Sequence, residues 1–339
     1  MAPLIRECKK RGLDYDILHT GQHYSYDMDR IFFEQLRLPD VTHNLEVGSG
    51  SHGEQTGKML IGIEKILKED SPNIVLVEGD TNTVLAGALA AQKMGIKIGH
   101  VEAGLRSYDR NMPEEINRIL TDHCSDLLFT PTVNSANNLL REGIQRDRIF
   151  ITGNTIVDAV YQNVELAEKK ASMTLPKSRY FLATVHRQEN VDNRARFSSI
   201  LEGLELVSKE FNASIIYPMH PRARKMMELF GLEPKLGLIE PVDYLSFLKL
   251  IKNAGLVLTD SGGVQEEACI LNVPCVTLRD NTERPETIEV GANVLAGTHA
   301  QEILEHSKNM YHTKRDWQNP FGDGTAAKKI IDICQELVS

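Results

Sequence analysis

Several things are scarce in this chain, and each scarcity narrows its chemistry. Only five cysteines stand in 339 residues, odd in number and scattered (Cys8, Cys124, Cys269, Cys275, Cys334). They form no CxxC pair and no metal-ligand spacing, so neither a disulfide scaffold nor a zinc or other metal site organises the fold. A reduced, cytoplasmic setting is expected. Positive charge is also short. Lys and Arg number 38 against 47 Asp and Glu, a net charge of -9, which leaves no basic surplus for a general nucleic-acid binder. No apolar run is long enough to span a membrane, and no secretory leader is evident. P-loop, HExxH and Ser-His-Asp patterns are missing. So is a GxGxxG after any strand, which argues against a dehydrogenase.

What is present is a long, ordinary globular composition, 41% hydrophobic and 25% charged, enough for two domains. Short apolar runs alternate with helix-like stretches. Tyr15 to His19, Ile74 to Val77, Ile96 to Val101, Leu127 to Phe129 and Ile149 to Thr152 read as strands. In the second half Phe181 to Val185, Ser214 to Tyr217, Leu256 to Thr259 and Pro274 to Leu278 do the same. Helices are expected over Pro3 to Arg11, Thr83 to Met94 and Arg196 to Phe211. This is the rhythm of α/β folds with doubly wound parallel sheets. The polar stretch from Gln162 to Arg179 reads as a helix followed by a linker between two such sheets.

Polar clusters fall where strands end, which is where doubly wound folds bind ligands. The most informative is Asp260-Ser261-Gly262-Gly263-Val264-Gln265-Glu266-Glu267. Two glycines at a strand-to-helix turn leave backbone N–H groups at the positive end of a helix, a phosphate site. The same residues also read as an ordinary turn with Ser261 as N-cap. Glu267 is expected in the first helical turn, in reach of a ribose. Asp80 follows a strand and reads equally as an N-cap. Glu102 lies past a buried strand and could be paired with Arg106. Glu114 opens a helix, where acids complement the dipole. His186-Arg187 and His220-Pro221-Arg222 suit an anion, although a lone histidine is usually structural. Together, acids on one edge and anion binders on another suit proton transfer on a substrate with a bound diphosphate leaving group, with a cleft between the two sheets.

Gly79-Asp80-Thr81, His100-Val101-Glu102-Ala103-Gly104-Leu105-Arg106, Pro113-Glu114-Glu115-Ile116-Asn117-Arg118, Ile151-Thr152-Gly153-Asn154-Thr155, the Asp260 turn and Thr282-Glu283-Arg284-Pro285-Glu286 occur in this order. In these motifs the whole chain resembles the non-hydrolysing UDP-N-acetylglucosamine 2-epimerases, most closely the archaeal branch. The resemblance implies a GT-B-like fold of two Rossmann-like domains. Residues 1–155 with 322–339 would form the first, including a returning helix from Thr325 to Leu337, and 156–321 the UDP-binding second. It implies interconversion of UDP-GlcNAc and UDP-ManNAc without a cofactor, through loss of UDP and a 2-acetamidoglucal, in a homodimer. Asp80, Glu102, Glu114 and His186 would be catalytic, with at least one of the acids raised in pKa by its neighbours. Ser261, Gly262 and Gly263 would cradle the diphosphate. Glu267 would hold the ribose, Arg284 the substrate, and Val242 with Phe247 the uracil, Val242 through its backbone. Gln22, Arg187 and His220 match a possible allosteric site for a second UDP-GlcNAc. Family members open with a strand and a Gly-Thr-Arg-Pro-Glu loop, then a lysine. This sequence opens inside the following helix, so that arginine and lysine have no counterpart in it. The rival readings are a GT-B glycosyltransferase, a hydrolysing epimerase and an inactive UDP-sugar-binding protein.

Overall fold

A computed structural model describes residues 1–21, 33–34, 36–171 and 173–338. The chain divides into two compact units, residues 1–159 with 321–339 and residues 160–320.

In the first unit, β1 (Leu18–His19) pairs in parallel with β2 (His43–Asn44). The expected strand from Tyr15 therefore shrinks to two residues. A second sheet is built from β3 (Ile74–Glu78), β4 (Lys97–Val101), β5 (Leu127–Thr130) and β6 (Ile149–Ile151), all parallel and in sequential order. Alternate side chains along β5 separate its two faces. Leu127 and Phe129 join Leu4, Val101, Ile330, Ile331 and Cys334, so the helices Ala2–Arg11 and Ala326–Val338 cover one side. Leu128 points the other way, to Ala103, Ala136, Leu139 and Ile149. The helix Asn82–Lys93 buries Ala86, Ala88, Ala90 and Ala91 against Met59, Ile63 and Leu67 of the helix His52–Asp70. Small side chains let the two helices lie close.

In the second unit, β7 (Tyr180–Thr184), β8 (Ser214–Pro218), β9 (Gly237–Ile239), β10 (Val257–Thr259), β11 (Cys275–Thr277) and β12 (Asn293–Leu295) form one parallel sheet, ordered β12-β11-β10-β7-β8-β9. Phe181, Ala183, Leu258 and Val276 face the helices Arg194–Phe211 and Ala300–Tyr311. Leu182, Val257 and Cys275 face the helices Tyr244–Asn253 and Gly262–Ile270. The order reverses beside β10, which places the turn after it at a topological switch point.

The stretch read as a helix followed by a linker is helical to Lys170, and its described residues from 171 to 179 carry no helix or strand. A single helix, Thr155–Lys170, runs through the boundary between the units. After it, Met173 and Leu175 pack onto the second unit's core. Asp158, 3% exposed, accepts hydrogen bonds from the N–H groups of Ala326 (3.2 Å) and Ala327 (3.0 Å), and so caps the returning helix inside the first unit.

Candidate active site

The candidate residues form two sets, one in each unit. Gln22, and with it one corner of the expected allosteric site, lies outside the described residues.

In the first unit the acids stand at the carboxyl ends of β3 and β4. Gly79 turns the chain at φ +89 just after β3, and Glu102 takes φ +71 just after β4. A left-handed glutamate is uncommon, because its Cβ crowds the backbone, so this turn is held by its surroundings. Glu102 Oε2 comes to 3.7 Å of the point where a Cβ on Gly79 would sit, which brings Glu102 to the backbone next to Asp80. Asp80 is no N-cap. Thr81 occupies that position, without a side-chain cap bond, and the Asp80 carboxylate pairs with buried Arg118. Arg118 also bonds Glu115 at 2.5 Å, and Asn117 donates to the Asp80 carbonyl at 2.9 Å. Glu115 accepts the N–H of Ser107 (3.0 Å) and of Tyr108 (2.8 Å). The Pro113–Cys124 helix therefore positions the Asp80 turn through Asn117 and Arg118, while Glu114 sits partly exposed in its first turn.

Arg106, the partner that a purely structural role for Glu102 would need, is engaged elsewhere. It lies 2.7 Å from Asp122 and is bidentate to Glu142 at 2.8 and 2.6 Å. Asp122 also meets fully buried His100 at 2.6 Å. Burial alone would strip both charges. Mutual attraction, helped by Arg106, prevails, so His100 is held above and Asp122 below its ordinary value.

In the second unit Asp260 follows β10 and is fully buried. Its oxygens accept the His186 N–H at 3.1 and 3.0 Å, the Arg187 N–H at 2.9 Å and the Asn190 amide at 3.1 Å, and His186 Nδ1 lies 3.4 Å away. One carboxylate thus fixes the His186 turn, a role the sequence did not reveal because its partners are about seventy residues away. The His220 ring lies 5.4 Å from that of His186. His220 is a helix cap: its Nδ1 accepts from the Arg222 N–H at 3.1 Å. Burial, then the neighbouring His186 and Arg222 charges, hold it below the usual imidazole value.

The helix Gly262–Ile270 starts at the first glycine. Ser261 stands at its N-cap position, but its side chain makes no cap bond, so it leaves the first-turn amides, which have no intrahelical acceptor, to another partner. Arg284 flanks them, its Cζ 3.7 Å from the Cβ position of Gly262 and its Nε 2.9 Å from Glu266. Arg279 holds the preceding loop through two 2.9 Å bonds to Glu283. Glu267 falls in the second turn of this helix rather than the first, since two glycines and three further residues precede it in the helix. Burial pushes its carboxyl up to about 7, against a hydrogen bond from Tyr244. Val242 and Phe247 pack on the cluster that contains Val264 and Ala268 of the same helix, which gathers an apolar wall, a carboxyl and an anion-binding turn around one element.

Residues 6–335 match the family model for UDP-N-acetylglucosamine 2-epimerase. The chain belongs to that family. A UDP-N-acetylglucosamine 2-epimerase of Methanocaldococcus jannaschii is 55% identical over 98% of this chain and 94% of its own length. A crystal structure of a UDP-GlcNAc 2-epimerase from that organism, in complex with UDP-GlcNAc and UDP, superposes with a TM-score of 0.93 at 54% identity, over 99% of this chain and 95% of that one. The UDP-2,3-diacetamido-2,3-dideoxy-D-glucuronate 2-epimerase of Pseudomonas aeruginosa is 43% identical over 97% of this chain and 93% of its own length. The GT-B-like α/β class read from the sequence is that of these epimerases. Among the described residues no helix is long and apolar enough to cross a membrane. No group of three or more His, Cys, Asp or Glu among them is placed to hold a metal.

Proposed function

We propose that this protein interconverts UDP-GlcNAc and UDP-ManNAc by eliminating and re-adding UDP. The observation that carries the reading is that Asp80 and Glu102 both stand just past the ends of adjacent strands, with Glu102 reaching the Gly79 backbone, two acid/base groups where a glycosyltransferase would need none at C2. The second unit by itself carries a glycine-rich helix start without a side-chain cap, flanked by Arg284. The C1–O bond breaks and its electron pair leaves with UDP, whose charge the first-turn amides, Arg284 and His186 stabilise. Cationic development at C1 acidifies C2–H, and a carboxylate of the set Asp80, Glu102 and Glu114 takes that proton. The resulting 2-acetamidoglucal has a C1–C2 double bond. Protonation of C2 from the opposite face and return of UDP to C1 close the cycle. Glu267 receives the ribose hydroxyls, and Val242 with Phe247 flanks the uracil. Arg187 and His220 are kept as candidates for a second nucleotide-sugar site. The working form in this proposal is a cytoplasmic homodimer, which sedimentation of the purified protein tests.

Incubation with UDP-GlcNAc in D2O, followed by proton NMR, is the direct assay. UDP-ManNAc with deuterium at C2 and little free UDP is the expected result. Free ManNAc with UDP would mean a hydrolysing enzyme, and acceptor-dependent transfer would mean a glycosyltransferase. Tight UDP binding without turnover would mean a binding protein.

A further inference from the structure

His100 has both ring nitrogens committed to groups that can only accept. Nε2 lies 2.9 Å from the Gly79 carbonyl and Nδ1 2.6 Å from Asp122 Oδ1. Asp122 Oδ2 already accepts the Gly104 N–H at 3.2 Å and faces the Arg106 guanidinium at 2.7 Å, so Asp122 is the ionised partner and the ring must carry two protons. The groups facing this cluster come from every neighbouring element. The Gly79 carbonyl follows β3, Glu102 and Arg106 follow β4, Asp122 and His123 are on the Pro113–Cys124 helix, and Glu142, 3.7 Å from His123, follows the Val133–Arg141 helix. With His100 protonated, the two cations His100 and Arg106 face the two carboxylates Asp122 and Glu142. With it neutral, fully buried Asp122 keeps only Arg106 as a cationic partner, which Arg106 must also share with Glu142. Among the catalytic candidates, Glu102 is the one whose charge also favours protonation of the ring.

We propose that His100 is a positioning residue for the acid pair, an imidazolium clamped between Gly79 and Asp122 that fixes the turn carrying Asp80 and sets a positive charge beside Glu102. The idea rests on the epimerase reading, yet its first test does not. In the full chain labelled with 15N-histidine, the His100 signals are assigned by their loss in His100→Gln. Both ring nitrogens should remain protonated from pH 6 to pH 9, while exposed rings lose a proton near about 6.5. A neutral His100 at pH 7 overturns the proposal whether or not the protein turns over a sugar. The second test uses catalysis. Gln can still donate to the Gly79 carbonyl but brings no charge. His100→Gln should leave KM within about twofold and lower kcat by about 10²-fold, the scale of a small misplacement. The acid limb of its kcat profile should move to higher pH, because the variant removes a positive charge from beside the acid pair. A fall in kcat with an unmoved acid limb would reduce His100 to a packing role and overturn the proposal.

Discussion

Asp80 and Glu102 carry the same functional group in different company. Asp80 is paired with a buried arginine, whereas Glu102 is held in a left-handed turn near a buried histidine. Replacing either with its amide, or Glu114 with Gln, should lower kcat by about 10²–10⁴-fold and leave UDP affinity unchanged, because the nucleotide-binding candidates are in the other unit. C2–H exchange in D2O and UDP calorimetry separate the two quantities. Full exchange in Asp80→Asn would remove Asp80 from the mechanism. Glu267 makes a different prediction. Its folded carboxyl titrates at about 7, above its unfolded value of about 4.3. The neutral form is therefore the one the fold prefers, so stability is fully present below about pH 4 and is lost as pH rises through about 7, by about 4 kcal/mol in all. Glu267→Gln should flatten this loss in ligand-free melts and raise Tm at pH 8, while weakening UDP. A parallel pH slope in the variant would assign the loss elsewhere.

At the scale of elements, the two glycine turns separate binding from folding. A Cβ on Gly262 would meet Arg284 and Glu283 only at ordinary contact distance, 3.7 Å, so Gly262→Ala should fold normally. The same methyl stands where a phosphate would approach, and UDP affinity should fall at least about tenfold. Gly104 is the opposite case. At φ +80 its Cβ would lie 2.3 Å from the Ser135 carbonyl, so Gly104→Ala should unfold the first unit or lower its Tm sharply. Normal melting of that variant would mean the turn can open. The central strands were legible because their two-sided burial needs continuous apolar runs, as in Phe181-Leu182-Ala183 and Val257-Leu258. His43–Asn44, Gly237–Ile239 and Asn293–Leu295 were not. They are edge or short strands that open with a polar residue or glycine, and their pairing comes from distant neighbours. The site followed the same rule. The strand-end acids, the Asp260 turn and Arg284 stood out as residues, but nothing in the sequence marked Arg118, Asp122 and Glu266 as ion-pair partners, because the groups they meet come from other elements.

At the scale of the molecule, the helix Thr155–Lys170 carries the chain from one unit to the other without a break, since helical periodicity does not change when a helix changes neighbours. The return is more explicit: Asp158 receives the first amides of the helix Ala326–Val338. Asp158→Ala should cost about 1–2 kcal/mol, the value of a cap, and lower Tm measured by circular dichroism. An unchanged melt would show that packing of Ile330 and Ile331 alone seats the helix. This return also sets an order in time. On the ribosome, residues 160–320 are all available before residues 326–338 leave the exit tunnel, whereas the earlier-made unit still lacks the helix that covers Val101, Leu127 and Phe129. The usual vectorial sequence, N-terminal part first, is thereby inverted. The later-made unit has all its residues first, and the first waits with one face of its sheet only partly covered, by the helix Ala2–Arg11, until residues 326–338 follow, the interval in which a chaperone has most to shield.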